Sequence, residues 1–200
     1  MQLGPKYKIA RRLGAPIFEK TQNAKFAASK EKRSTGFSKP KTAFGTQMNE
    51  KQKARFTYGI SEKQFKNYVN EAISLQSGSQ TEALFEKLET RLDNIVARSA
   101  FANTRRGARQ AVSHGHITVN GRKVTIPSYR VSIGDKIVVR EGSKAKGVFR
   151  TLEEVAKTAE VPNWLKVDAK NYTIEVTGKP KLNPTELLFD LQTIFEYYRR

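Results

Sequence analysis

The chain has no cysteine among its 200 residues. Disulfides, thiol catalysis and cysteine-ligated zinc are therefore excluded. Its two histidines, His114 and His116, are too few for a strong metal site, so a turn or phosphate-contact role is the preferred reading. No apolar run approaches membrane-spanning length, and no secretory signal leads the chain. A glycine-rich nucleotide loop is also missing. Acids are scarce, 19 against 37 Lys and Arg, and most are explained by helix caps and surface pairs. These absences leave no case for an enzyme, a cofactor, a membrane partner or a small-molecule substrate.

What is present is positive charge. A net charge of +18 and a pI near 10.1 point to an anionic partner. The first 58 residues carry 14 basic against 3 acidic side chains, net +11. Residues 91–150 carry 13 against 3, net +10. The remaining segments are close to neutral. Charge that only kept the chain soluble would be spread more evenly, so the pattern reads as two nucleic-acid surfaces on a neutral frame. The competing reading is a pair of solvated basic faces. The length suits one or two small domains, and 38% hydrophobic residues suffice for modest cores.

Residues 91–122, RLDNIVARSAFANTRRGARQAVSHGHITVNGR, organise the chain. Leu92, Ile95 and Val96 follow helical spacing. Thr104 is placed to cap a second helix. One face of that helix carries Arg105, Arg106 and Arg109, and the other carries Ala108, Ala111 and Val112. Gly115 supplies a left-handed cap, Ile117 to Val119 alternate as a strand, and Asn120-Gly121 is a strong hairpin signal. Guanidinium groups offered by a rigid helix suit a phosphate backbone.

At these positions R-L-D-N (91–94), T-R-x-x-A-R-Q (104–110), S-H-G (113–115) and I-T-V-N-G (117–121) resemble the S-four RNA-binding domain. A second motif, G-P-x-x-K-x-x-R-R-x-G at 4–14, resembles the start of the bacterial-type small-subunit ribosomal protein four family. The strings E-K-Q-K-x-R-x-x-Y-G at 50–59 and E-x-Q-F-x-N-Y at 62–68 are similar to the same family. Many of its members bind zinc through cysteines in the region of residues 15–47. This chain resembles the zinc-free form.

The remaining segments are read from pattern. Pro5 and Gly14 bracket a short basic helix, and residues 15–47 are expected to be irregular. Phe18, Phe26, Phe37 and Phe44 either stack on bases or, the preferred reading, anchor that segment to the protein's own body. Residues 49–58 read as a helix ended by Gly59, and Ser61 with Gln64 opens the next. Leu84, Leu88, Leu92, Ile95 and Val96 form one apolar stripe, which predicts a single helix running between two domains. Further strands are expected at 124–126, 137–139, 164–167 and 172–176, with a mobile basic loop at 142–150 and a helix at 151–159. Asn183-Pro184 marks the start of a terminal helix whose apolar face includes Leu187, Leu188, Leu191, Ile194, Phe195 and Tyr198.

The expected fold class is α+β. A largely irregular extension (1–48) precedes a helical domain made of residues 49–90 plus 180–200. Into it is inserted an S-four-type domain, 91–179, of two helices on a small antiparallel sheet. The resemblance implies a cytoplasmic constituent of the small ribosomal subunit, with an organellar ribosome as the second possibility. It implies direct binding to the five-prime domain of small-subunit rRNA early in assembly. It further implies contact with ribosomal proteins S-five and S-three, and a share in the mRNA entry path and translational accuracy. The residues expected to contact RNA are Arg11, Arg12, Lys51, Lys53, Arg55, Arg91, Arg105, Arg106, Arg109, His114 and Arg122, each with a solvated surface charge as its alternative. The competing function is a free-standing S-four-domain RNA-binding regulator, for which the first 60 residues are dispensable.

Overall fold

A computed structural model describes residues 4–24, 26, 42–75, 78–144, 149, 152 and 160–199. The chain divides into two compact units, residues 1–81 with 183–200, and residues 82–182.

The first unit is helical. Helix α1 (Lys6–Leu13) is entered through Pro5 and stopped by Gly14, whose φ of 74° places it in the left-handed region. Its buried side, Ala10 and Leu13, packs with Ala15, Ile17, Phe18 and Phe26 in a small apolar cluster. Phe18 and Phe26 thus anchor the following segment to the protein, as the preferred reading has it, whereas Phe44 is exposed, its ring 5.6 Å from that of Tyr197. Phe37 and most of residues 25–41 lie outside the described residues. Helix α2 (Ala43–Tyr58) begins six residues earlier than the sequence pattern indicated, because Thr42 caps it by accepting a hydrogen bond from the Gly45 amide at 3.2 Å. Helix α3 (Glu62–Ile73) is capped by Ser61 and buries Phe65, Val69 and Ala72.

The second unit is α+β. Helix α4 (Gln80–Glu89) crosses the boundary in sequence and is followed by α5 (Leu92–Arg98) and α6 (Arg105–Ser113). Five antiparallel strands come next: β1 (Ile117–Val119), β2 (Arg122–Lys123), β3 (Lys136–Val139), β4 (Leu165–Asp168) and β5 (Thr173–Val176). They are ordered β2-β1-β3-β5-β4, with Thr118 opposite Val138 and Ile137 opposite Ile174. The inward alternation of Ile117, Val119, Ile137, Val139, Ile174 and Val176 meets Leu92, Ile95 and Val96 of α5 and Ala108, Ala111 and Val112 of α6 in one core. A short helix, α7 (Glu141–Lys144), occupies the start of the expected 142–150 loop. The helix expected at 151–159 falls outside the described residues, apart from the buried Leu152.

Two helix predictions need correction. The apolar stripe from Leu84 to Val96 is not one helix: the chain breaks at Thr90-Arg91. There the Thr90 carbonyl accepts from Val131, while the Leu92 and Asp93 amides donate to the carbonyls of Tyr129 and Pro127. A tertiary loop thus satisfies the donors that a continuous helix would have used internally. The terminal helix is likewise split. Pro184–Glu186 makes only a 3₁₀ turn, and helix α8 (Leu191–Tyr198) starts at Asp190, whose carboxylate accepts from the amides of Gln192 and Thr193. Strand β2 is also shorter than expected, since Ile126 is exposed beyond it.

Candidate nucleic-acid interface

The candidate surface on the second unit is built on α6. Thr104 takes an extended conformation (φ −148°, ψ 150°), and its hydroxyl accepts from the Gly107 amide, closing the first turn. Alanines on the inner side allow close packing, so the arginines project from the opposite side. Arg106 and Gln110 are exposed, while Arg105 and Arg109 are half-buried.

Two buried polar groups hold those half-buried arginines. Asp93, in the first turn of α5, receives two from Arg109, Nε at 2.8 Å and a terminal nitrogen at 2.6 Å. The same carboxylate takes a two-pronged pair from Arg91, with Nε at 3.0 Å and a terminal nitrogen at 2.8 Å. The Asp93 side chain is 4% exposed and that of Arg109 30%. The neighbouring Asn94 accepts from Arg105 Nε at 2.9 Å and donates to the Glu89 carboxylate at 3.0 Å. Glu89 in turn pairs with Arg98 at 3.1 Å. Charge-assisted bonds of this kind are short and direction-specific.

At the end of α6, Gly115 adopts φ +69° and the Lys123 side chain lies against it. A Cβ on Gly115 would come within 2.1 Å of Lys123 Cε. The cation thereby sits at the negative end of the helix dipole. The hairpin turns through Asn120 and Gly121, both with positive φ, and presents Arg122 and Lys123 as exposed side chains. His114 is exposed, with its ring 5.9 Å from that of His116. His116 is tied to Ser143 Oγ at 3.0 Å. Among the described residues, no three His, Cys, Asp or Glu side chains gather to hold a metal ion.

In the first unit, α1 exposes Lys8, Arg11 and Arg12 on one basic surface. The block at 51–55 behaves differently. Lys51 is buried, donates to Glu62 at 2.7 Å and lies over the Tyr197 ring at 4.5 Å. Lys53 pairs with Glu50 at 2.6 Å, and Arg55 lies between Glu62 and the Phe56 ring. Burial alone would raise the Glu62 carboxyl. Hydrogen bonds from Lys51 and Tyr198, with the charges of Lys51 and Arg55, outweigh this and hold it below the usual carboxylate range. Tyr198 moves the other way: burial first, then its bond to Glu62, keep its hydroxyl protonated well above the ordinary tyrosine range.

Placement thus sorts the expected contacts. Arg11, Arg12, Arg106, His114 and Arg122 are exposed, and Arg105 and Arg109 are partly so. Arg91 is corrected: at 3% exposure and paired with Asp93, it is an internal strut. Lys51 is corrected for the same reason, and Lys53 and Arg55 are mostly buried ion-pair partners within their own unit. Asp93, Asn94, Glu89 and Lys123 were not singled out from sequence as site residues, although R-L-D-N was visible as a motif.

Known proteins resemble this chain along nearly its whole length. The family model described as "S4 domain" matches residues 90–137, and "Ribosomal protein S4/S9 N-terminal domain" matches residues 2–89. "Small ribosomal subunit protein uS4" of Persephonella marina is 42% identical, over 98% of this chain and 97% of its own. The chain belongs to the uS4 family. Members bearing the same name from Natranaerobius thermophilus and Chloroflexus aurantiacus are each 39% identical, over 98% or more of both chains. The family is one of ribosomal structural proteins, not of enzymes.

Proposed function

We propose that this protein is a structural constituent of the small ribosomal subunit that binds the five-prime domain of small-subunit rRNA directly. The observation that carries the reading is the arginine face of α6, held by buried Asp93 and Asn94 and continued by the exposed Arg122 and Lys123. Fixed guanidiniums at a set spacing suit the phosphates of a folded RNA better than a mobile basic tail does. Arg11 and Arg12 on α1 supply a second phosphate-binding surface. Two basic surfaces on one chain let the protein clamp separate RNA helices and hold a junction in one arrangement. In this reading the protein acts early in subunit assembly. The reading extends to contacts with S-five and S-three and to a share in the mRNA entry path and decoding accuracy, as the resemblance to the family implies.

The test is a salt-titrated binding assay. It compares the five-prime domain of small-subunit rRNA with an unrelated structured RNA of equal length. The expected result is a preference for the five-prime domain that survives high salt. Each phosphate neutralised contributes roughly −0.7 to −0.9 to the slope of log affinity against log salt. Equal affinities that collapse together with salt overturn the reading. Removal of residues 1–60 is expected to weaken binding, whereas a free-standing regulator retains full affinity.

A further inference from the structure

The arginines of α6 fall into two classes that their positions in sequence do not distinguish. Arg105 and Arg109 lie four residues apart, one helical turn. Each is gripped by one member of a consecutive pair on α5, Arg105 by Asn94 and Arg109 by Asp93. The grip on Arg109 is stiff. Two of its nitrogens converge on one carboxylate oxygen, and that carboxylate is itself immobilised by the buried Arg91. Asn94 is immobilised in the same way through Glu89, which Arg98 pins. Arg106, between them, is exposed, and no described side chain orients it.

We propose that Asp93 and Asn94 are positioning residues that set RNA selectivity, a division of labour that rests on the RNA-binding reading above. Asp93 and Asn94 fix Arg109 and Arg105 before RNA arrives. This fixed pair fits only phosphates at a matching spacing, so it discriminates between RNA shapes. Arg106 adapts to any phosphate, so it adds affinity without discrimination. A fixed guanidinium loses less rotamer freedom on binding than a free one, but only for a ligand that matches its geometry. Asp93 also lowers the local positive charge, which weakens attraction to mismatched RNA.

The experiment measures affinity for the five-prime-domain transcript and for an equal-length unrelated structured RNA, across salt, for the full chain and three variants. Arg109→Lys keeps the charge but loses the two-nitrogen grip. It is expected to lower the affinity ratio between the two RNAs about tenfold with an unchanged salt slope. Arg106→Gln removes a charge. It is expected to weaken both RNAs alike and to reduce the slope by roughly 0.7–0.9, leaving the ratio intact. Asp93→Asn is expected to lose the ratio while binding to the unrelated RNA holds or rises.

A merely structural Asp93 would lower stability and leave the ratio of the folded fraction unchanged. If Asp93→Asn does not fold, because Arg91 is left buried without its counter-charge, Arg109→Lys alone decides. An unchanged ratio in Arg109→Lys, or a lost ratio in Arg106→Gln, overturns the positioning proposal while the RNA reading stands. A wild-type protein without any preference overturns both.

Discussion

Replacing Glu62 by Gln tests whether the first unit is held by its internal ion-pair cluster. The Glu62 carboxylate receives the Lys51 ammonium at 2.7 Å and the Tyr198 hydroxyl at 2.8 Å, and it faces Arg55 at 3.6 Å. It therefore joins α2, α3 and α8. Stripping one partner from a fully buried pair costs roughly 3–5 kcal/mol, because the other charge is stranded. Lys51 meets that description, with a side chain 6% exposed, but Glu62 is 42% exposed and its attraction is screened by water. Gln also retains an oxygen that accepts from Lys51 and Tyr198. The expected loss is therefore about 1–2 kcal/mol, between the exposed and buried limits. For a domain of this size that lowers the midpoint by roughly 4–8 °C per kcal/mol.

The assay follows from where the chromophores lie. Trp164 belongs to the second unit, whereas Tyr7, Tyr58, Tyr68, Tyr197 and Tyr198 belong to the first. Tryptophan fluorescence thus follows the second unit alone, whereas the tyrosine near-UV circular dichroism, to which Tyr129 and Tyr172 of the second unit also contribute, comes mainly from the first. The tyrosine transition is expected to shift and the tryptophan transition to stay. The pH dependence has a fixed sign. A carboxyl held below its unfolded value contributes stability above that value, and the contribution is lost as pH falls through the folded value. The difference between wild type and Glu62→Gln should accordingly be full near neutrality and shrink below about pH 4. Equal stability of the two proteins at pH 7, or a difference that grows on acidification, refutes the reasoning.

Thr104→Ala removes the hydroxyl that closes the first turn of α6. It is expected to cost about 1 kcal/mol in the tryptophan-reported transition and to weaken binding to the five-prime-domain transcript, because Arg105 and Arg106 lie in the freed turn. Gly115→Ala is expected to cost about 1 kcal/mol from the left-handed backbone alone. Its Cβ also displaces the flexible Lys123 side chain, which chemical-shift changes at Lys123 would register. Ile174→Ala, in a fully buried strand position, is expected to cost roughly 2–5 kcal/mol by denaturant titration.

Much of the second unit was legible because local signals agreed with one another. Thr104, Gly115 and Asn120-Gly121 each demand a particular backbone, and each adopts it. The alternation of β1, β3 and β5 then fixes which residues face α5 and α6. The same holds for α1 between Pro5 and Gly14 in the first unit. What local pattern does not encode is a helix end imposed from a distance. The stripe from Leu84 to Val96 keeps helical spacing through Thr90-Arg91, yet the carbonyls of Pro127 and Tyr129 end it there.

That one break explains the misplaced arginine. Within a helix, residues two apart point to different sides, so Arg91 could not reach Asp93 and would read as a surface cation. Once the chain breaks, Arg91 becomes an extended cap residue (φ −66°, ψ 137°), and its side chain folds back onto the first turn of α5. The ion pair and the helix break are thus one structural event. Its consequence reaches α6, since the carboxylate that neutralises Arg91 is also the one that fixes Arg109. Lys51 was misread for a related reason. Its counter-charge, Glu62, lies eleven residues away on the next helix, and its aromatic neighbour Tyr197 comes from the far end of the chain. A count of positive side chains cannot separate cations consumed by the fold from those left for a partner. Only the position of each acid relative to each base does so, and in this chain that position is set by helix ends.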